Sequence, residues 1–131
     1  MDQGPLVAEQ IEAGRKFLAE FEKYAPVLTA FWLKEYDGWY WYLYIASDQI
    51  DSDNRSQAYR EVVRIARTLH DPHLDSLRTK VVLADDPKVQ AALDLQRQYP
   101  GRPIHLGGQV FGGESIEGAY IYPQAQAAAV A

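Results

Sequence analysis

The sequence predicts an α+β domain, with three helices packed on one face of a mixed, mostly antiparallel sheet. Three observations predict this class: a hairpin pattern within residues 27–46, three helix patterns, and the element order α-β-β-α-β-α-β-β. With 131 residues, 47% of them hydrophobic and 24% charged, the chain has the size and composition of one globular domain. We assign this domain to residues 1–123 and give the Ala/Gln-rich tail, residues 124–131, no role.

The first helix is predicted from about Leu6 to Tyr24. Apolar or small residues recur there at intervals of three and four, which places them on one side of a helix: Val7, Ile11, Gly14, Leu18 and Phe21. Pro26 then ends the helix, because proline disfavours helical backbone in the residue before it. Gly14 costs about 1 kcal/mol in a helix interior. A close crossing by a neighbouring strand would explain this glycine, and so would simple tolerance.

A β-hairpin is predicted next. Two strands, Val27–Tyr36 and Trp39–Ala46, flank the pair Asp37-Gly38, which is typical of a tight two-residue turn with positive φ. The first strand is apolar on both of its faces, and this pattern predicts a central strand.

The hairpin is rich in aromatic residues: eight of the chain's 16, including all three tryptophans, lie between Phe31 and Tyr44. Alternation divides the second strand into two faces. One face is expected to meet the helices: Trp39, Trp41, Leu43 and Ile45. The other face consists of Tyr40, Tyr42 and Tyr44. These tyrosines are candidates for an interface or a ligand site, and the alternative is a face covered by the chain's own glycine-rich C-terminal segment.

The second half of the chain alternates helices with short strands. A second helix, about Gln57–Leu69, has an apolar face and ends at His70-Asp71-Pro72. Asp86 followed by Pro87 is a strong start for a third helix. Four further strands are predicted: Thr79–Ala84, Ile104–Leu106, a short piece around Val110-Phe111, and Ser115–Tyr122.

Two groups of side chains on or near the second helix are candidates for chemistry. Arg60, Arg64 and Arg67 form a basic stripe that could hold a phosphate or carboxylate, with Arg78 as a further candidate, or could be a solvated helix face. His70 and His73 are weak candidates for acid–base catalysis or metal binding, although Pro72 breaks the helix that would align their rings.

No recognisable catalytic motif or cofactor motif is present. The acidic loop with Asp48, Asp51 and Asp53 lacks the glycine and glutamate that a calcium loop requires. The glycine-rich segment 107–113 lacks the lysine of a phosphate loop, and tight turns or bulges are expected there. Glu114 and Glu117 could line a cleft near these glycines. The chain has no cysteine, and we predict neither a metal nor a cofactor.

Charge and hydropathy narrow the classes of partner. A net charge of −5 argues against nucleic-acid binding, because the phosphate backbone requires a dense basic surface. The tyrosine alternation alone would suit single-stranded nucleic acid. No apolar run reaches the roughly 20 residues of a membrane span. With no signal-peptide pattern at the N-terminus, we expect a cytoplasmic protein of bacterial type.

Several stretches resemble a group of short bacterial proteins to which no activity is assigned. The stretches are residues 14–18, 26–33, 45–47, 58–60, 86–89 and 119–122. They span roughly residues 14–123 and coincide with structural features: a hairpin, two helix starts and a final strand. The resemblance implies one compact domain, and no functional residue is carried over from it.

Two function hypotheses of different classes follow. The first is a small non-catalytic interaction module, a homo-oligomer that associates through its aromatic-rich sheet or binds a partner there, because the aromatic cluster comes without a catalytic set. The second is a small enzyme or ligand-binding domain acting on an anionic small molecule through the arginine and histidine candidates.

Overall fold

The computed structural model describes residues 4–124, and the tail from residue 125 onward lies outside them. The described part contains three helices and six strands, which confirms the α+β class. They follow the predicted order, with the short piece around Val110-Phe111 as an additional strand between the last two. The elements are α1 (Ala8–Glu22), β1 (Thr29–Glu35), β2 (Tyr42–Ala46), α2 (Arg55–Leu69), β3 (Thr79–Val82), α3 (Pro87–Gln98), β4 (Ile104–Leu106), β5 (Gln109–Phe111) and β6 (Glu114–Ile121). A short 3-10 turn, Ser76–Arg78, leads into β3.

The six strands form one mixed sheet in the order β3-β2-β1-β6-β4, with β5 paired to the start of β6. Only β2 and β3 are parallel; the other pairs are antiparallel. The prediction of a mostly antiparallel sheet is therefore confirmed. β1 lies at its centre, between β2 and β6, and all its residues except Glu35 are buried. Its two apolar faces had predicted this position.

The helices cover both faces of the sheet, so the prediction that all three pack on one face is wrong. α1 and α2 pack against the face that contains Trp32 and Leu43. α3 packs against the opposite face, where Ala92 joins the core around Phe31. The physical reason lies in β1: a single layer of helices would leave one of its apolar faces in water.

Gly14 lies where two aromatic side chains approach α1 closely, so the glycine is required by packing as predicted, although side chains and not a strand backbone make the approach. The hydroxyl of Tyr122 accepts a hydrogen bond from Trp32 Nε1 at 2.9 Å and donates one to the Ile11 carbonyl at 2.7 Å. A Cβ atom on Gly14 would lie 2.2 Å from that hydroxyl oxygen. The glycine therefore makes room for a buried hydrogen-bonded chain that joins β1, α1 and the segment after β6.

The local signals at the helix ends are also confirmed. The Asp86 carboxylate accepts a hydrogen bond from the Lys88 backbone N–H at 2.8 Å, and Pro87 occupies the first turn of α3. α2 ends at His70, which adopts a left-handed conformation with φ of 49°. The predicted apolar face of α2 is buried at Ala58, Val62 and Ile65.

The outer edge of β3 is covered by a side chain. The hydroxyl of Tyr59, on α2, accepts a hydrogen bond from the Val81 N–H at 3.0 Å and donates one to the Val81 carbonyl at 3.4 Å. An open strand edge invites pairing with another chain. Tyr59 satisfies the groups at which such a pairing would begin.

Candidate functional site

The connection between β1 and β2 differs from the predicted turn. The last paired residues of β1 and β2 are Leu33 and Tyr42, and the final two residues of β1 pair with β6 alone. The Gly38 N–H donates to the Glu35 carbonyl at 2.9 Å, and Gly38 does not have a positive φ. The prediction of a two-residue turn at Asp37-Gly38 is therefore wrong, and a longer loop joins the strands.

This longer loop also changes the tryptophan face. Trp41, Leu43 and Ile45 are buried against the helices as predicted. Trp39 is exposed, and its predicted place in the core is wrong. The reason is that β2 begins at Tyr42, so strict strand alternation does not extend back to Trp39.

The three tyrosine candidates do not share one environment. Tyr44 is buried beneath α3, with its ring stacked on Phe31 at a centroid distance of 5.1 Å. Tyr40 and Tyr42 are half-buried. The Arg78 guanidinium lies 3.6 Å from the centroid of the Tyr40 ring, and Lys80 Nζ lies 4.6 Å from that of Tyr42. Tyr44 is thus part of the core, and the other two tyrosines lie beside cations.

No local pattern in the sequence indicates that these two cations lie beside the tyrosines. Arg78 and Lys80 flank the start of β3, which pairs in parallel with β2 after a long helical crossover. Sequence reasoning instead grouped Arg78 with the arginines of α2. Two parallel strands are not joined by a short turn from which their register could be predicted. The proximity of these residues is therefore seen in the structure and not in the sequence.

The buried tyrosines predict a loss of stability in alkali. Burial raises the pKa of Tyr44 and of Tyr122, so the folded chain keeps protons that the unfolded chain releases above about pH 10. Stability is thus fully present below this pH and falls as the pH rises, by about 1.4 kcal/mol per unit for each such group. Urea denaturation between about pH 8 and pH 11 measures the slope.

Two substitutions separate this effect from general alkaline damage. Tyr44→Phe should reduce the slope of unfolding free energy against pH by the contribution of one tyrosine. Tyr99→Phe, at an exposed position, should leave that slope unchanged. An unchanged slope in Tyr44→Phe would contradict the assignment of Tyr44 to the core.

Four large apolar side chains are exposed at the end of the sheet where β1 joins β2. They are Tyr36, Trp39, Leu77 and Val110, each between 57% and 84% exposed, and we call them the hairpin-end patch. Their positions follow from the register. Tyr36 donates its N–H to the Ser115 carbonyl at 3.3 Å, and Val110 pairs with Ser115 from the other side. Leu77 precedes Arg78, which covers Tyr40.

A recess of about 300 Å³ lies within this end of the sheet. Its walls are aromatic, with one acidic and one basic side chain: Glu35, Gly38, Trp39, Tyr40, Tyr42 and Lys80. The hairpin-end patch therefore combines protruding side chains with an aromatic hollow.

The arginine stripe lies on the solvent side of α2. Arg60, Arg64 and Arg67 are all exposed and line a shallow groove. Arg64 forms an ion pair with Glu61, and this hydrogen-bonded partner raises the Arg64 pKa. No histidine lines this groove. The stripe has the geometry of a solvated helix face.

The two histidines lie in different depressions. His70 lines one together with Arg67, whereas His73 lines another together with Arg78. His73 Nδ1 is 3.3 Å from an Asp71 carboxylate oxygen. Across residues 4–124, no three histidine or acidic side chains are grouped closely enough to hold a metal ion.

The acidic loop and the glycine-rich segment have structural explanations. The Asp51 carboxylate accepts hydrogen bonds from the N–H groups of Asp53 and Asn54, at 2.9 and 3.1 Å. Gly112 and Gly113 have positive φ and form the turn between β5 and β6. Glu114 forms an ion pair with Lys88 at 2.9 Å.

A buried lysine is the charged residue that sequence reasoning missed. The side chain of Lys34, on β1, is 3% exposed, and its Nζ lies 3.1 Å from a carboxylate oxygen of Glu117. Lys34 borders a cavity of about 440 Å³. Glu117 had been a general cleft candidate, but nothing local in the sequence connects it to a lysine 83 residues earlier.

Within the described residues, no helix combines the length and apolar character needed to cross a membrane. Comparisons with protein-family models, with curated proteins and with solved structures found no match for this chain.

Proposed function

We propose that the protein is a non-catalytic interaction module that self-associates through the hairpin-end patch. The observation that carries this proposal is that four large, mostly exposed apolar side chains lie at one end of the sheet, with Tyr36 and Trp39 in the loop between β1 and β2 and Leu77 and Val110 towards the two edges. Single exposed hydrophobic residues are ordinary on a monomer. Several exposed apolar side chains at one end of a molecule are typical of a contact surface. Tyrosine and tryptophan are among the residues that most often dominate the binding energy of such a surface.

A second copy of the chain is the partner that fits this surface. A two-fold interface requires a patch that is complementary to itself. The hairpin-end patch has protruding side chains, such as Tyr36, beside an aromatic recess. The recess is bordered by Glu35 and Lys80, so a two-fold axis can bring the carboxylate of each copy towards the ammonium group of the other.

The covered edge of β3 also favours side-chain contact at this end of the sheet. Tyr59 occupies both backbone groups of Val81, so this edge offers little for pairing between strands. The chain's net charge of −5 opposes association by general repulsion. Self-association should therefore tighten as salt screens that repulsion.

Sedimentation velocity of the wild-type protein and Trp39→Ala tests the proposal. We expect a reversible dimer at micromolar concentration, with the dissociation constant raised at least about tenfold in the variant, since a buried interface tryptophan contributes about 2 kcal/mol or more. Because Trp39 is exposed in the monomer, its loss should change stability by no more than about 0.5 kcal/mol.

Tyr99→Ala is the matched control, because it removes an exposed aromatic side chain that is not part of the hairpin-end patch. This variant should associate as the wild type does. A wild-type chain that stays monomeric at about 100 µM, or a Trp39→Ala variant with unchanged association, would contradict the proposal.

A further inference from the structure

The cavity beside Lys34 is separate from the hairpin-end patch. It lies on the α1 face of the sheet, where strand residues and the N-terminal side of α1 meet. Its charged and polar side chains are Lys34, His105, Glu117 and Tyr120, and Trp41, Leu106 and Ile11 supply apolar wall. A volume of about 440 Å³ falls within the usual range for small-molecule sites.

The two charges of the pair differ in their surroundings. The Lys34 side chain is 3% exposed, whereas the Glu117 side chain is 51% exposed. A desolvated ammonium group needs a counter-charge, and its attraction for one is stronger than it would be in water. A half-exposed carboxylate can turn into solvent at little cost. An anion that enters the cavity can therefore replace Glu117 beside Lys34.

A β-bulge aims Glu117 at this lysine. Lys34 pairs with Gly118 and Glu35 pairs with Ile116, so Glu117 is the extra residue in β6. Regular pairing would have placed Glu117 opposite Glu35. Bulges are common beside functional sites because they redirect a side chain in this way.

The apolar wall of the cavity includes the Trp41 ring, which packs closely against β6. A Cβ atom on Gly118 would lie 2.9 Å from Cη2 of Trp41, so the glycine allows the indole ring to lie close to β6. Trp41 Nε1 donates a hydrogen bond to the Gly4 carbonyl at 2.8 Å, which fixes the plane of the ring. The result is a flat apolar surface near a buried cation.

Two further side chains add polar contacts. The rings of His105 and Tyr120 meet edge to face, with centroids 4.8 Å apart. The Tyr120 hydroxyl is a hydrogen-bond donor at neutral pH because a phenol loses its proton only near about pH 10, and burial raises the pKa of Tyr120 further.

We propose that this cavity binds a small monocarboxylate with a flat apolar body. The carboxylate replaces Glu117 beside Lys34, and the apolar body lies against Trp41. The ligand class follows from one buried cation, a neutral hydroxyl donor and an aromatic wall.

Calorimetric titration with benzoate, and with benzamide as its neutral analogue of nearly equal shape, tests the charge requirement. We expect benzoate to bind and benzamide to bind at least tenfold more weakly. Lys34→Met should weaken benzoate binding at least tenfold. In a nitrogen-15 NMR spectrum, the indole N–H signal of Trp41 should shift on addition of benzoate, while that of Trp39 should not.

Glu117→Gln provides a second test, whose outcome does not depend on whether Lys34→Met folds. It preserves the shape of the side chain and removes the charge that competes with the ligand. Benzoate should bind Glu117→Gln about tenfold more tightly than the wild type, and should raise its melting temperature by more. Trp39→Ala should bind benzoate as the wild type does, which separates this site from the proposed self-association.

Three results would overturn the proposal. They are equal affinities for benzoate and benzamide, a benzoate affinity that Glu117→Gln leaves unchanged or lowers, and a Trp41 indole signal that benzoate does not move.

Discussion

Gly14→Ala is expected to lower the free energy of unfolding by about 3 kcal/mol, although helix propensity alone would raise it by about 1 kcal/mol. The added Cβ would lie 2.2 Å from the Tyr122 hydroxyl oxygen and 2.9 Å from Trp32 Nε1. Neither ring can move freely, because both side chains are buried in the core shared with α1. The sign of the change therefore separates a packing requirement from a tolerated glycine.

Most of the expected loss comes from the hydrogen bonds that the methyl group displaces. Trp32 Nε1 donates to the Tyr122 hydroxyl, which in turn donates to the Ile11 carbonyl. If the hydroxyl moves away, a buried N–H loses its acceptor, and such a loss costs about 1–3 kcal/mol. Overpacking adds a further 1–3 kcal/mol, and the gain in helix propensity offsets part of the sum.

Urea denaturation of Gly14→Ala measures this change, with Gly107→Ala as the matched control. A Cβ atom on Gly107 meets nothing within 4 Å, so that variant should be as stable as the wild type or slightly more stable. Tyr122→Phe removes the oxygen that the new methyl group would strike. In the double variant, Gly14→Ala should therefore cost less than it does alone. A Gly14→Ala protein as stable as the wild type would contradict the close crossing.

The features that sequence could predict are those determined by a few adjacent residues. Asp86 and Pro87 start α3 by a capping hydrogen bond and a preset φ, both of which act within one turn. The two apolar faces of β1 predicted a central strand because alternation is local. The periodicity of α2 predicted its buried face for the same reason.

The face on which α3 packs could not be read in this way. An amphipathic pattern shows which side of a helix is apolar, but not which face of the sheet receives it. The parallel pair β2 and β3 constrains α2, because such crossovers have a preferred hand. α3 instead connects β3 to β4, at opposite ends of the sheet order, and no comparable rule applies to that path.

The candidate sites depend on still longer-range geometry. Lys34 is the penultimate residue of an apolar strand, where a lysine ordinarily marks the solvent-exposed end. Its burial depends on the Glu117 bulge in β6 and on the position of Trp41, and neither leaves a local pattern. In the same way, Trp39 followed strand alternation in the sequence, but the wider hairpin loop placed it in solvent.

Phe31→Ala is expected to have the largest effect of any substitution proposed for this chain, a loss of about 4 kcal/mol in the free energy of unfolding. Phe31 is fully buried on the α3 face of β1. Its ring stacks on Tyr44 and meets Phe111 edge to face, at centroid distances of 5.1 and 5.5 Å. Truncation would leave a cavity between two aromatic neighbours and would remove part of the surface on which α3 packs.

The magnitude of this loss tests whether helices cover both faces of the sheet. If all three helices packed on the opposite face, Phe31 would point towards solvent, and alanine there would cost no more than about 1 kcal/mol. Chemical denaturation of Phe31→Ala beside Phe31→Leu makes the comparison. The leucine variant fills most of the same space and should lose only about 1–2 kcal/mol. A loss that is larger for Phe31→Ala than for Phe31→Leu therefore places Phe31 in a closed core beneath α3. Small and equal losses in the two variants would indicate that this face of the sheet is not covered by a helix.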